Sequence, residues 1–228
     1  MLVLAVDSST ARESVALVRG ERLLGEVCLD TEDVASRRLL PAAAFLLDAA
    51  GVAPAQLDGL AVAVGPGSFT GLRVGIATVQ GLALASGRPC VGVSTLAALG
   101  QLGAEAGLPV AALLDALRNE VYAALYAAGG GEVLAPRRER LEEFVARTPA
   151  EALFVGDGAE RFGERILALR PRARLRSRPA FLAAVVARLG RARLERGEGV
   201  SPEALRPFYL REAHIRTPPA PPPAAPST

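Results

Sequence analysis

Three apolar runs, at residues 2–6 (LVLAV), 14–18 (SVALV) and 23–29 (LLGEVCL), succeed one another across short polar connections. Connections that brief suit strands turning back on their neighbours, so the chain is expected to open with an antiparallel three-stranded meander. A helical pattern then covers about 35–50, carried by Leu39, Leu40, Ala43, Leu46 and Leu47, with Gly51 placed to terminate it. An apolar run at 59–64, a helix over about 71–86, a strand at 90–93 and a helix over about 95–106 follow. The resulting order, β-β-β-α-β-α-β-α, restarts in the second half. Strands are expected at 109–115, 120–127, 132–135 and 152–156, with helices at 140–147, 159–169 and 179–196.

These two blocks predict an α/β protein of two similar lobes, residues 1–106 and 107–216. The last twelve residues, 217–228, hold six prolines. They can neither bury a core nor form a ladder, and are expected to be a disordered, polyproline-like tail. Half of the 228 residues are hydrophobic, enough for a substantial core.

Missing residue types narrow the chemistry. All 26 basic residues are arginine. Without lysine there is no Schiff base, no Walker-A lysine and no lysine general base, because arginine neither deprotonates nor forms an imine. His214 is the single histidine, so no multi-histidine metal site is available, and no metal is expected. Cys28 and Cys90 are too far apart in sequence for a Cys-x-x-Cys clip, and so few cysteines suggest a reducing compartment. The N-terminus, MLVLAVDSST, lacks a basic region, and Asp7 interrupts its apolar run. Neither a signal peptide nor a membrane span is expected, and the expected location is the cytoplasm.

Several segments are candidates for function. The run Gly65-Pro66-Gly67-Ser68-Phe69-Thr70-Gly71 joins a strand to a helix, where glycines permit close backbone approach and helix N–H groups can face an anion. It lacks the spacing of a dinucleotide fingerprint, and a tight turn needing glycine would read the same way. The helix behind it carries Gly71, Gly75, Ala77, Gly81 and Ala85. Interior glycines each cost up to ~1 kcal/mol relative to alanine, so something approaches this helix closely: its own sheet, or another subunit. Asp7-Ser8-Ser9-Thr10 offers a carboxylate and three hydroxyls to a phosphate, or simply forms a hydrogen-bonded turn. Arg170, Arg172, Arg174, Arg176 and Arg178 recur at every second residue. In an extended segment they would share one side and could neutralise RNA phosphates, or be an ordinary solvated face. Residues 159–196 carry eleven arginines against three acidic residues.

The segments LAVDSSTARESVALV, VAVGPGSFTGLRVGIATVQGLALASGRPCVGVSTLAAL, LLDALRNEVYAALY, FVGDGA and PFYLR closely resemble the TsaB (YeaZ) family over residues 1 to about 212. GPGSFTGLRVG followed by GVSTL is the most specific block. The resemblance implies an actin-like fold of the acetate and sugar kinase, Hsp70 and actin class. It also implies a non-catalytic subunit that pairs with a catalytic paralogue, TsaD, and works with an ATPase, TsaE. That assembly transfers threonylcarbamoyl to the adenosine beside the anticodon of tRNAs reading ANN codons, so tRNA is met through the complex.

The catalytic paralogue carries a Val-Asn-His-Leu-Glu-Ala-His segment that binds metal through its two histidines. Here the corresponding residues run Val93 to Leu99, with Thr95 and Leu99 at the ligand positions, and leucine has no lone pair to offer. Asp7, Ser8, Ser9 and Thr10 match the first phosphate turn of actin-like kinases, and Gly156, Asp157 and Gly158 match the adenosine-side motif. The second phosphate loop would be Asp115 to Glu120, which has no glycine. These positions are read as a vestigial nucleotide site, with no cofactor expected beyond a nucleotide bound weakly or at the partner interface.

Partner contact is assigned to Ser36, Leu39, Leu40 and Ala43 of the first helix, and to Arg73, Gly75, Ala77, Thr78, Gly81 and Leu82 of the second. The occupant is the TsaD-like paralogue or, in isolation, a second copy of the chain. Gly75→Glu is expected to abolish pairing and leave the fold intact. Many family members carry a His-Ser pair where this chain has Ala35 and Ser36. Two other classes remain open: an active actin-like ATPase or phosphotransferase, and, less favoured, a peptidase, in which His214 would have to pair with Ser68 or Cys90.

Overall fold

The computed structural model describes residues 1–30, 38–102, 107–179 and 181–210. Ser36, His214 and the proline-rich tail at 217–228 lie outside the described residues. Two five-stranded sheets carry the fold. In the first, β1 (Leu2–Asp7), β2 (Arg12–Arg19) and β3 (Arg22–Asp30) form the expected antiparallel meander, and β4 (Gly59–Gly65) and β5 (Cys90–Ser94) add in parallel beside β1, giving the order β3-β2-β1-β4-β5. Helices α1 (Leu39–Ala49), α2 (Phe69–Ser86) and α3 (Thr95–Gln101) connect the later strands.

The second sheet repeats this plan. Strands β6 (Val110–Asp115), β7 (Glu120–Tyr126) and β8 (Glu132–Arg140) form its meander. Strands β9 (Leu153–Val155) and β10 (Arg174–Arg176) extend it in parallel, so that the order is β10-β9-β6-β7-β8. Helix α4 (Leu141–Ala146) precedes β9, and α5 (Asp157–Arg161) and α6 (Gly163–Leu169) follow it. The single helix expected over 159–169 is therefore broken at Phe162. Strand β8 runs longer than expected, and β10 hides among the arginines. Its three exposed residues offer no apolar run to detect.

Alternation along the strands explains the layers. Leu4, Val6, Val15, Leu17, Leu60 and Val62 pack with Leu39, Leu46, Leu47, Ile76 and Val79 beneath α1 and α2. The opposite face, with Val3, Ala5, Ala61, Ala63, Val91 and Val93, belongs to a core that continues through Leu96 and Leu99 of α3 onto Val110, Ala112 and Leu114 of the second sheet. Both faces of β1 are thus covered, which is why its six residues are all buried and read as an unbroken apolar run.

One boundary is corrected. By sequence order the helix expected at 179–196 falls in the second lobe, but α7 (Ala183–Glu195) packs on β1, β2 and β4 of the first sheet. Gly190 allows this, since a Cβ there would collide with Ala61. The first turn of α7 is tied down from below: Ser14 Oγ accepts from the backbone N–H groups of Leu182 (3.2 Å) and Ala183 (3.0 Å), and Glu26 Oε1 accepts from that of Ala184 (2.9 Å). These acceptors satisfy N–H groups that have no partner within the helix. Beyond α7, residues 197–210 stay with the first lobe. Val200 bridges Cys90, Gln80 donates to the carbonyls of Pro202 and Leu205, and the Phe208 N–H donates to Val64.

Candidate functional site: an interlobe cleft and a helical groove

A cleft of about 390 Å³ lies between the sheets, walled by Ser9, Thr10, Ser68, Phe69, Asp115, Tyr122 and Asp157. Of the seven expected nucleotide residues only Ser9, Thr10 and Asp157 line it, and the polar atoms of the Asp7 turn behind them are already engaged. Asp7 is fully buried, and its Oδ2 forms an ion pair with Arg178 Nη2. Its Oδ1 accepts from Ser9 Oγ (2.6 Å) and from the Ser9 N–H (3.1 Å). Ser8 Oγ donates to the Gly71 carbonyl at 2.8 Å, and Thr10 Oγ1 to that of Arg12 at 3.2 Å.

The glycines follow the same logic. A Cβ at Gly67 or Gly71 would strike the backbone carbonyls of Ser9 and Ser8, so both residues are glycine because α2 begins directly against the Asp7 turn. The Ser68 N–H donates to the Ser9 carbonyl at 2.7 Å, while Ser68 Oγ caps α2 by accepting from Gly71. Gly156 has φ 122, and a Cβ on it would overlap the Leu113 carbonyl. This glycine motif therefore serves close packing on β6.

On the far wall, Asp157 Oδ1 accepts from the Asp115 N–H at 3.1 Å, and Arg161 pairs with Asp115. Burial raises the Asp157 pKa, against the Asp115 hydrogen bond and the Arg178 charge. The glycine-free loop between β6 and β7 places Leu117, Arg118 and Asn119 in left-handed conformations, with φ of 64, 54 and 63. Such a conformation costs non-glycine residues of order 1–3 kcal/mol each.

The second feature is an apolar groove of about 680 Å³ on the outer side of α1 and α2. It is lined by Leu40, Arg73, Val74, Ala77, Thr78, Gly81, Leu82 and Ala85. Arg73, Ala77 and Gly81 form an exposed row at four-residue spacing, so their side is flat enough for another helix to approach closely. At one end Phe69 stacks on Tyr209 (centroids 5.5 Å apart), with the Arg73 guanidinium 3.9 Å above the Phe69 ring. Arg73 Nε also donates to the Tyr209 hydroxyl at 3.3 Å. Phe45, Leu40 and Leu84 stand exposed nearby on the same two helices.

A family model described as TsaD, tRNA N6-adenosine threonylcarbamoyltransferase, matches residues 30–152. The chain is 40% identical over 126 residues to the tRNA threonylcarbamoyladenosine biosynthesis protein TsaB of Haemophilus influenzae, covering 54% of this chain and 52% of that one. It is 39% identical over 129 residues to TsaB of Escherichia coli, covering 55% of each. The match thus spans about half the length of these curated relatives. Among solved structures, a Pseudomonas aeruginosa protein described as similar to peptidase YeaZ aligns at 36% identity and TM-score 0.80, over 92% of this chain and 99% of that one. The chain belongs to the TsaB/YeaZ family. A fold likeness also extends to the ethanolamine utilization protein EutJ of Carboxydothermus hydrogenoformans, at TM-score 0.53 and 12% identity over 83% of this chain and 88% of that one. The two-lobed actin-like α/β fold is as expected.

Within this TsaB/YeaZ member the structure separates the expected contact residues. Leu40, Arg73, Ala77, Thr78, Gly81 and Leu82 line the groove. Leu39 and Ala43 do not, being fully buried in the core under α1. Gly75 is corrected as well. It faces inward, where a Cβ would collide with Ser8 Oγ, so Gly75→Glu would break the fold rather than test an interface. Gly81 is the open position, where an added Cβ would meet nothing within 4 Å.

The arginine row is not one face. Arg170 donates to the carbonyls of Thr148 and Ala146, Arg172 pairs with Glu151, and Arg178 is buried against Asp7. Arg174 and Arg176 alone occupy the strand. The sequence places Arg178 in the arginine row, Phe69 in the glycine turn and Tyr209 in PFYLR without the contacts the structure gives them, and Phe45 carries no signal beyond the helical pattern. Arg178 is visible as the end of the arginine row, just before Pro179, but its partner lies 171 residues away.

Proposed function

We propose that this chain is a non-catalytic activating subunit in the synthesis of threonylcarbamoyladenosine on tRNA. It docks through the α1–α2 groove onto the matching helices of a TsaD-like catalytic paralogue and, with a TsaE-like ATPase, supports threonylcarbamoyl transfer to the adenosine beside the anticodon of ANN-decoding tRNAs in the cytoplasm. The observation that carries this reading is the groove itself: an exposed apolar floor of small residues, ended by an aromatic pair bridged by arginine. Aromatic and arginine anchors dominate protein–protein contacts, and two helices a side suffice for an interface of about 1,600 Å² in total.

The cleft supports the non-catalytic part of the reading. A carboxylate that would order a phosphate or a metal-bound water must be available, and Asp7 is held by Arg178. Polyphosphate entering here would also face Asp115 and Asp157. In this reading the chain carries no cofactor of its own. The Ser68 hydroxyl is engaged as a helix cap, its Oγ accepting from the Gly71 N–H.

The test is threonylcarbamoylation of tRNA by purified TsaD and TsaE from the same source, with and without this chain. Activity that appears only on its addition supports the activating role. Equal activity without it refutes that role, and nucleotide turnover by the isolated chain would then favour the phosphotransferase reading.

A further inference from the structure

Between the edge strand β10 and helix α7 lies a further pocket, of about 450 Å³, that the groove and the cleft leave unexplained. Arg176, Arg188 and Arg191 line it together with Gln101 and Glu21. Three guanidiniums against one carboxylate leave the lining positive.

The pairing of the surrounding arginines decides which charges are available. Of the eleven between 159 and 196, seven pair with carboxylates. Arg170 donates to backbone carbonyls. That leaves Arg174, Arg176 and Arg188 without an ion pair among the described residues, although the Arg188 charge does lower the pKa of Glu26. Arg176 is oriented by one bond from its Nη1 to the Leu102 carbonyl at 3.0 Å, and its remaining donors are uncommitted among the described residues. Arg191 is braced by Glu21 and Glu195, yet its Nε is buried with no hydrogen-bond partner among the described residues.

We propose that this pocket is an RNA-phosphate site: Arg176 and Arg188 each hold a phosphate of the tRNA backbone, with Arg174 extending the track. The ligand class follows from the geometry. Arg174 and Arg176 point to the same side of β10, about 6.7 Å apart by strand rise, comparable with the separation of successive phosphates along a strand. No aromatic side chain among the described residues lines the pocket, so bases are not stacked there, and contacts of this kind position a nucleic acid without reading its sequence. The site rests on the tRNA reading above, but it places the RNA contact on Arg176 and Arg188 rather than on Arg170 and Arg172.

The test is an anisotropy titration of the full chain with a labelled anticodon stem-loop of an ANN-decoding tRNA, repeated from low to moderate salt. Arg176→Gln/Arg188→Gln is compared with the wild type and with Arg165→Gln/Arg172→Gln, which removes the same charge from two exposed ion pairs. Losing two phosphate contacts at ~0.7 each should make the log–log salt slope shallower by about 1.4, an affinity loss smaller by about sevenfold over a fourfold rise in salt. The control pair should keep the wild-type slope. The proposal is overturned by no RNA binding in the wild type, by equal slopes in all three proteins, or by an equal change in the control pair. It is also overturned if pyrophosphate alone saturates the pocket in the absence of RNA binding, which would make it a small-anion site. Dependence of threonylcarbamoylation on the chain is read separately, so loss of the activating role and loss of the RNA site are distinguishable.

Discussion

Replacing Arg178 with methionine should destabilise the whole protein, because it strips the counter-charge from a carboxylate that no water reaches. The Arg178 and Asp7 side chains are 2% and 0% exposed. Arg178 also donates from Nη2 to Ser9 Oγ at 3.3 Å, and its backbone N–H donates to Glu160 Oε1 at 2.8 Å. The pair therefore joins the first turn of the first sheet to the segment between β10 and α7. Deleting one member of such a buried pair costs about 3–5 kcal/mol, since the remaining charge stays desolvated. At about 2–4 °C per kcal/mol for a chain of this size, the melting temperature should fall by roughly 6–20 °C. Asp7→Asn/Arg178→Met should recover most of this loss, because an uncharged, well-packed pair of similar volume is often as stable as the ion pair. The assay is urea unfolding of the four proteins of the double-mutant cycle. Because the inner core runs from the first sheet through α3 into the second, one cooperative transition is expected. A loss below about 1 kcal/mol in either single variant, or additive losses in the double variant, would refute the reasoning.

Gly81→Glu should abolish association with a TsaD-like partner in light scattering without lowering the melting temperature, since glycine is the poorer helix former at this open position. Gly75→Ala, by contrast, should cost about 1–3 kcal/mol by overpacking against Ser8, and unaltered stability would contradict its inward placement. Phe69→Ala and Tyr209→Ala should each weaken partner affinity by about 2 kcal/mol or more, roughly thirtyfold, if the stacked pair anchors the interface, as calorimetry would show. Burial raises the pKa of Glu26 above 4.5, so the folded state holds its proton more tightly than the unfolded chain. That contribution to stability is present at low pH and is lost as pH rises through the raised value. Glu26→Gln keeps an acceptor for the Ala184 N–H and should flatten this decline when urea midpoints are compared between about pH 4 and pH 8.

Most of the element order and its two α/β blocks were legible in apolar runs and short polar connections, with β10 the strand that left no such run. The actin-like plan and the family were legible only through the resemblance of whole segments such as GPGSFTGLRVG. The helices the sequence singles out for partner contact are those that carry the groove, since the stripe of Arg73, Ala77 and Gly81 follows helical periodicity. It could not tell inward from outward among small residues. Gly75 and Gly81 both fit a close helix approach, and only the placement of Ser8 beneath one of them separates core from surface. Nor could it assign α7 to a lobe, because an amphipathic helix does not record which sheet lies below it. The arginine row made the same point through charge. Its members are alike in sequence, and distant partners decide their fates: Asp7 buries Arg178, Glu151 occupies Arg172, and Arg176 is left facing an open pocket. Local chemistry fixed the elements, whereas long-range packing fixed which of their side chains remain free to act.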